Sequence, residues 1–250
     1  MARLMRPNGA RPTSTSCNCI VPRTPTSDAT TLCRGDLESG RMRALYIEAV
    51  GESNWALTDL QLSDSLTAVI KSRPKGAGWW VFAYGSLLWN PMFPFVESRP
   101  AILRGLHRRF CLYSLTSRGT PEQPGLVLGL DRGGSCTGVA YRLPAPVAMD
   151  ELHLLWRREM VVGSYHPRWV RVRSGERELH ALAFTVRHAH PQYAGRMPLD
   201  EEAVVIARSK GAFGSSQDYL ERTRVALVSH GIRDPYLEAL ALKVAALQRA

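Results

Sequence analysis

The sequence predicts an α+β fold, a mixed sheet or small barrel with helices packed around it. Two observations predict it. Between residues 79 and 143, short apolar runs alternate with glycine and proline, the pattern of strands joined by short connections. From residue 146 onward helical spacing dominates, interrupted by one further strand pair. With 250 residues and 45% hydrophobic composition, the chain can bury one sizeable core.

Residues 1–75 read as an N-terminal extension and 76–250 as the folded domain. Residues 1–41 are rich in Arg, Pro, Ser and Thr and poor in acids and aromatics, so they are expected not to fold alone. They lack the continuous apolar core of a secretory signal. Their composition is shared by mitochondrial presequences and by upstream coding read through an early start, and Met42 offers an alternative initiator. Over residues 57–71, Asp64 and Ser65 are expected to cap a short helix. SRPKGAG at 72–78 is then a linker.

The run WWVFAY at 79–84 reads as a buried strand ended by Gly85. Pro91 and Pro94 break any helix soon after. Four more strands are expected, at 101–106, 109–114, 126–130 and 136–143. Gly119, Pro121, Pro124 and Gly125 punctuate them, as does the Gly133-Gly134 pair. Residues 146–160 read as a helix. Strands at 169–173 and 178–187 flank a Ser174-Gly175 turn. Helices at 200–210, 216–230 and 235–249 complete the chain. No internal repeat is present.

A formal charge of +10 invites a nucleic-acid reading, but the arginines are scattered and form no stripe with interleaved aromatics. A solvated basic surface explains them, and such a surface also suits a small anionic substrate. No stretch of roughly 18 apolar residues occurs, so no membrane span is expected. Five cysteines, an odd and sparse count, argue against a disulfide framework. Cys17, Cys19 and Cys33 have no histidine at metal-site spacing in the first hundred residues, and no metal is expected there. Cys111 and Cys136 lie in strand-like apolar surroundings and read as core residues. The expected compartment is therefore reducing and cytoplasmic.

Three segments could carry chemistry. Tyr84-Gly85-Ser86-Leu87 ends a strand, and its glycine lets a ligand approach the backbone. Successive amides of such a turn bind a carboxylate or an oxyanion. On spacing alone, an ordinary strand-to-loop glycine is the better explanation. Glu159 continues the helical face of Leu152, Leu155 and Trp156, which places a carboxylate where the helix otherwise turns apolar groups inward. Desolvation there would raise its pKa and suit it to act as a base. The alternatives are a structural glutamate paired with Arg157 or Arg158 and a helix-end residue still in water. Finally, Gly211–Leu220 is a glycine-rich entry to a helix that carries Tyr219. It lacks the lysine of a phosphate loop.

VFAYGSLLWNP, RGLHRRFCLYSLTSRGTPEQPG, GVAYRL, LWRREMVVGSY and GIRDPYLEAL, in this order, resemble the ChaC-type γ-glutamylcyclotransferases of the bacterial branch. The resemblance runs from about residue 79 to near the C-terminus. It implies a γ-glutamylcyclotransferase-like small mixed β-barrel with flanking helices. It also implies cleavage of glutathione into 5-oxoproline and cysteinylglycine without metal or cofactor. By the same resemblance, Glu159 is the general acid/base. Val81, Phe82, Ala83, Tyr84, Gly85, Ser86, Leu87 and Tyr219 bind the substrate. Two departures stand out: Gly163-Ser164-Tyr165 where many members have two glycines before the tyrosine, and Gly211-Ala212-Phe213-Gly214 where Gly-Pro-Leu-Gly is common. Rival readings are a non-catalytic γ-glutamyl-binding regulator linked to cation transport, and a cyclotransferase for other γ-glutamyl amines. The sequence leaves oligomeric state open.

Overall fold

The computed structural model describes residues 31–51 and 55–249. The expectations for residues 1–30, including Cys17 and Cys19, lie outside the described residues.

Five strands close a mixed barrel: β1 (Trp80–Ala83), β2 (Glu97–Ser114), β3 (Gly125–Arg142), β4 (Tyr165–Ser174) and β5 (Arg177–Val186). Their order around the barrel is β1-β3-β2-β4-β5, closed by pairing of β5 with β1 and β3. β5 runs parallel to both, through Val81↔Leu182 and Leu130↔Thr185, while the other pairings are antiparallel. The fully buried Phe82, Phe110, Leu126, Leu128, Leu130, Leu182 and Phe184 fill the core.

The expected strand pair at 101–106 and 109–114 is one continuous strand, and so is the pair at 126–130 and 136–143. Gly133-Gly134 is therefore not a turn. It lies within β3, opposite Gly105 of β2, where the register shifts between Arg104 and Leu106. All three glycines have positive φ. They bend the ribbon as a bulge that L-residues accommodate poorly, and pairing resumes on either side.

Helices surround the barrel: α1 (Arg34–Glu38), α2 (Arg41–Val50), α3 (Asp59–Lys71), α4 (Ala148–Glu159), α5 (Leu199–Arg208), α6 (Ser216–Ser229) and α7 (Pro235–Arg249). Asp64 and Ser65 do not cap α3. Thr58 does, accepting from the Gln61 amide at 3.2 Å, while the Gln61 side chain accepts from the Thr58 amide at 2.8 Å. That reciprocal box satisfies two orphan donors, so the helix starts nearly two turns earlier. Ser65 lies inside α3 and accepts from Trp156 Nε1 at 3.2 Å. Leu62 and Leu66 of α3 join the core.

The C-terminal helices are tied to the barrel by one buried carboxylate. Glu202 of α5 takes hydrogen bonds from Arg109 of β2 at 2.6 Å and from Tyr236 of α7 at 2.7 Å. The Tyr236 hydroxyl in turn accepts from the Phe110 amide at 3.0 Å. A two-strand hairpin, β6 (Lys210–Gly211) with β7 (Gly214–Ser215), precedes α6. Among the described residues, no helix is long and apolar enough to cross a membrane.

Candidate active site

β1 delivers the chain to one end of the barrel. Its four residues are buried on both faces and pair with β3 from Trp80↔Arg142 to Ala83↔Val139. The chain then turns at Gly85 into a short 3-10 turn, Ser86–Leu88, closed by the Leu88 amide on the Gly85 carbonyl at 2.9 Å. Buried Arg108 of β2 holds the turn from beneath. Its Nε donates to the Tyr84 carbonyl at 2.6 Å and its Nη2 to the Thr137 carbonyl at 2.6 Å. Nη1 pairs with Asp234.

α4 brings Glu159 to this turn. Leu152, Leu155 and Trp156 bury the helix against the core, and Trp156 meets Phe184 edge-on. Glu159 is the last helical residue. Its neighbour Arg158 reaches across to the turn, donating to Ser86 Oγ at 2.8 Å and to the Asn90 carbonyl. Arg158 Nε also lies 3.0 Å from Glu159 Oε1, within ion-pair range. The angle is unsuited to a hydrogen bond, however, and Oε1 has no hydrogen-bond partner. Burial pushes the Glu159 carboxyl above the usual glutamate range, with Arg158 working against it.

Three phenols crowd this carboxylate. Tyr84 Oη donates to the Phe184 carbonyl at 2.7 Å, and Tyr165 Oη to the Leu128 carbonyl at 3.2 Å. Tyr219, on α6, is packed edge-on by Trp89 and Phe110. Burial and then the Glu159 carboxylate raise the Tyr219 phenol to about 12, opposed by Arg118 and the amides of Leu128 and Ser86. Burial holds Tyr84 and Tyr165 well above the usual phenol value. All three hydroxyls therefore keep their protons at neutral pH.

These groups form an inner cavity lined by Tyr84, Gly85, Ser86, Leu87, Leu128, Glu159, Tyr165, Phe184 and Tyr219. It adjoins a larger outer cavity, and the two share Ser86, Glu159, Tyr165 and Tyr219. Arg118, Arg158, Ser164 and Phe213 are among the residues that line the outer one. Among the described residues, no group of three or more His, Cys, Asp or Glu side chains is placed to hold a metal ion.

Of the residues singled out in the sequence, Tyr84, Gly85, Ser86, Leu87, Glu159 and Tyr219 meet at the inner cavity. Val81, Phe82 and Ala83 do not line it. They are buried in the barrel wall and position the turn that follows. Sequence reasoning gave no role to Arg118 or Tyr165, and named Arg158 only as an alternative partner of Glu159, an ion pair that the structure contains. The signals were there in RGTP, in the doubled arginine before Glu159 and in the tyrosine after Gly163-Ser164, but their direction depends on the fold.

A ChaC-like protein family profile matches residues 79–247. The chain is 40% identical over 185 residues to a glutathione-specific γ-glutamylcyclotransferase of Escherichia coli, covering 74% of this chain and 80% of that one. It is 34% identical over 168 residues to glutathione-specific γ-glutamylcyclotransferase 1 of Mus musculus, covering 64% and 75%. The crystal structure of a glutathione-specific γ-glutamylcyclotransferase from yeast superimposes with a TM-score of 0.63 at 27% identity, covering 68% of this chain and 97% of that one.

Proposed function

This chain belongs to the ChaC-like family, and from that membership and its buried carboxylate we propose that it is a glutathione-specific γ-glutamylcyclotransferase. The reaction releases 5-oxoproline and cysteinylglycine. One observation carries the assignment of the base: Glu159 Oε1 stands at the meeting of two cavities, buried and without a hydrogen-bond partner.

The γ-glutamyl arm occupies the inner cavity. Its α-ammonium gives a proton to Glu159, and the freed amine attacks the γ-carbonyl carbon. The new C–N bond closes a five-membered ring, and the old amide C–N bond breaks. Glu159 passes this proton to the departing cysteinyl nitrogen, then takes the second proton from the ring nitrogen and hands it on in the same way. The ring ends as a neutral lactam and cysteinylglycine leaves as an ammonium. Acid–base help of this kind contributes on the order of 10²–10⁴-fold. Because attack is intramolecular, the site mainly holds the arm in its reactive rotamer. The backbone after Gly85, together with Ser86 and Arg158, receives the anionic groups. None of these steps calls for a metal or a nucleotide. Nor does the reading call for nucleic acid or a membrane, and it places the protein in the cytoplasm, where Cys33, Cys111 and Cys136 stay as free thiols.

The test is release of 5-oxoproline by the purified chain from glutathione and from γ-glutamylalanine. Release from glutathione, with γ-glutamylalanine much slower, is expected. Comparable rates on both would make it a cyclotransferase for γ-glutamyl amines in general. Release from neither would remove the enzymatic reading.

A further inference from the structure

The outer cavity carries a cation that the chemistry at Glu159 does not use. Arg118, in the RGTP segment, is only 6% exposed. Its guanidinium lies 5.5 Å from the ring centroids of both Trp89 and Tyr219. Packing against aromatic faces stabilises the cation and leaves its donors free at the edge. Among the described residues, the hydrogen bonds its guanidinium gives leave from Nη1 alone, to the Ser215 carbonyl at 3.3 Å and to Asp218 Oδ2 at 3.2 Å. Asp218 is shared, since Arg222 Nε lies 3.0 Å from its other oxygen. One carboxylate thus faces two guanidinium groups, and a positive charge is left over beside the cavity.

The loop that presents Arg118 is locked. The Ala212 amide donates to the Thr116 carbonyl at 2.8 Å and the Phe213 amide to the Ser117 carbonyl at 3.0 Å. Ser216 Oγ donates to the Arg118 carbonyl at 3.3 Å, and the Arg118 amide donates to Ser114 Oγ at 3.0 Å. Glycine is required where these backbones meet. A Cβ on Gly119 would enter the Gly125 amide, one on Gly125 the Arg118 carbonyl, and one on Gly211 the Thr116 carbonyl. The glycines of RGTP-x-x-PG and the first glycine of the 211–214 segment therefore serve one purpose, which is to fix this arginine in place. A side chain immobilised before binding loses little entropy when it binds.

We propose that Arg118 receives the glycyl carboxylate of the substrate and so selects γ-glutamyl peptides that carry this carboxylate over γ-glutamyl amines that lack it. The proposal rests on the cyclotransferase reading above. With the γ-glutamyl arm in the inner cavity, the cysteinylglycine portion falls in the outer one. Two extended residues span at most roughly 7 Å. That reach suits a cation that neighbours the turn through a shared ring, since Tyr219 has Arg118 over its face and its hydroxyl close against Gly85.

The experiment compares kcat/KM for glutathione with that for glutathione carrying a C-terminal glycinamide, following 5-oxoproline. The parent, Arg118→Lys and Arg118→Met are each given both peptides. A charge-assisted hydrogen bond predicts that the parent prefers the acid by about 10- to 100-fold. The preference should shrink in the lysine variant and collapse to about threefold or less in the methionine variant. Both peptides meet the same preparation, so partial misfolding lowers both rates and leaves the ratio intact. An unchanged ratio in Arg118→Met, or a parent that turns over both peptides without preferring the acid, overturns the proposal. Release from neither peptide by the parent would overturn the cyclotransferase reading and this proposal with it.

Discussion

Glu159 ends α4, where the helix dipole disfavours negative charge, and it stands among phenols that exclude water. Both effects act in the direction that burial already sets, toward a raised pKa. A base must be ionised to accept a proton. Activity is therefore expected to fall as pH drops through the raised pKa, and the acid limb of kcat/KM should lie above the ordinary glutamate range. Glu159→Gln should fold, as a circular dichroism melt would show, and lose at least about 10²-fold in turnover. A glutamine variant that still released cysteinylglycine at the parent rate would take the base away from this residue. Ser86 has a different task. Its hydroxyl accepts from Arg158 and so joins the turn to α4, which is the work of a positioning group and not of a nucleophile.

At the scale of the element, the unit is β1 with the turn that follows it. Gly85 is needed for space, because a Cβ there would stand 2.7 Å from the Tyr219 hydroxyl and 3.6 Å from Leu128 Cβ. The phenol is held by Trp89 and Phe110 and has little room to retreat. Gly85→Ala should destabilise by about 1–3 kcal/mol, the usual effect of overpacking, and should slow turnover further by displacing Tyr219. Adding Tyr219→Phe removes the clashing oxygen. The double variant should regain melting temperature without regaining rate. If its melting temperature stayed at that of Gly85→Ala, the conflict would lie elsewhere than at the hydroxyl.

At the scale of the whole molecule, residues 31–41 bear on the same site from outside. Arg34 donates to Glu151 of α4 at 2.8 Å, and Asn90 Nδ2 donates to the Leu32 carbonyl at 2.9 Å. Leu32 also lines the outer cavity. A chain starting at Met42 keeps the barrel, the turn and Glu159 but loses these contacts. It should remain active, melt about 2–4 °C lower for a loss on the order of 1 kcal/mol, and show a raised KM for glutathione. An unchanged KM and melting temperature would mean that this segment only covers the surface.

Much of this was legible in the chain itself. Strand-forming runs, helix periodicity and the Tyr84-Gly85-Ser86-Leu87 turn are local properties, set by side-chain branching, spacing and glycine. The inward position of Glu159 followed from its place on the apolar face of α4. Other features depended on partners distant in sequence. Gly133-Gly134 looks like a turn until Gly105 lies opposite, because a positive φ marks a turn or a bulge alike and only the paired strand decides which. Arg158 and Arg118 look like surface charges until the barrel brings Ser86 to the first and Trp89 and Tyr219 to the second. The sequence by itself thus determined which groups have the chemistry. The tertiary structure alone decided which of them share a desolvated cavity, because burial and charge proximity are sums over residues that the chain keeps far apart.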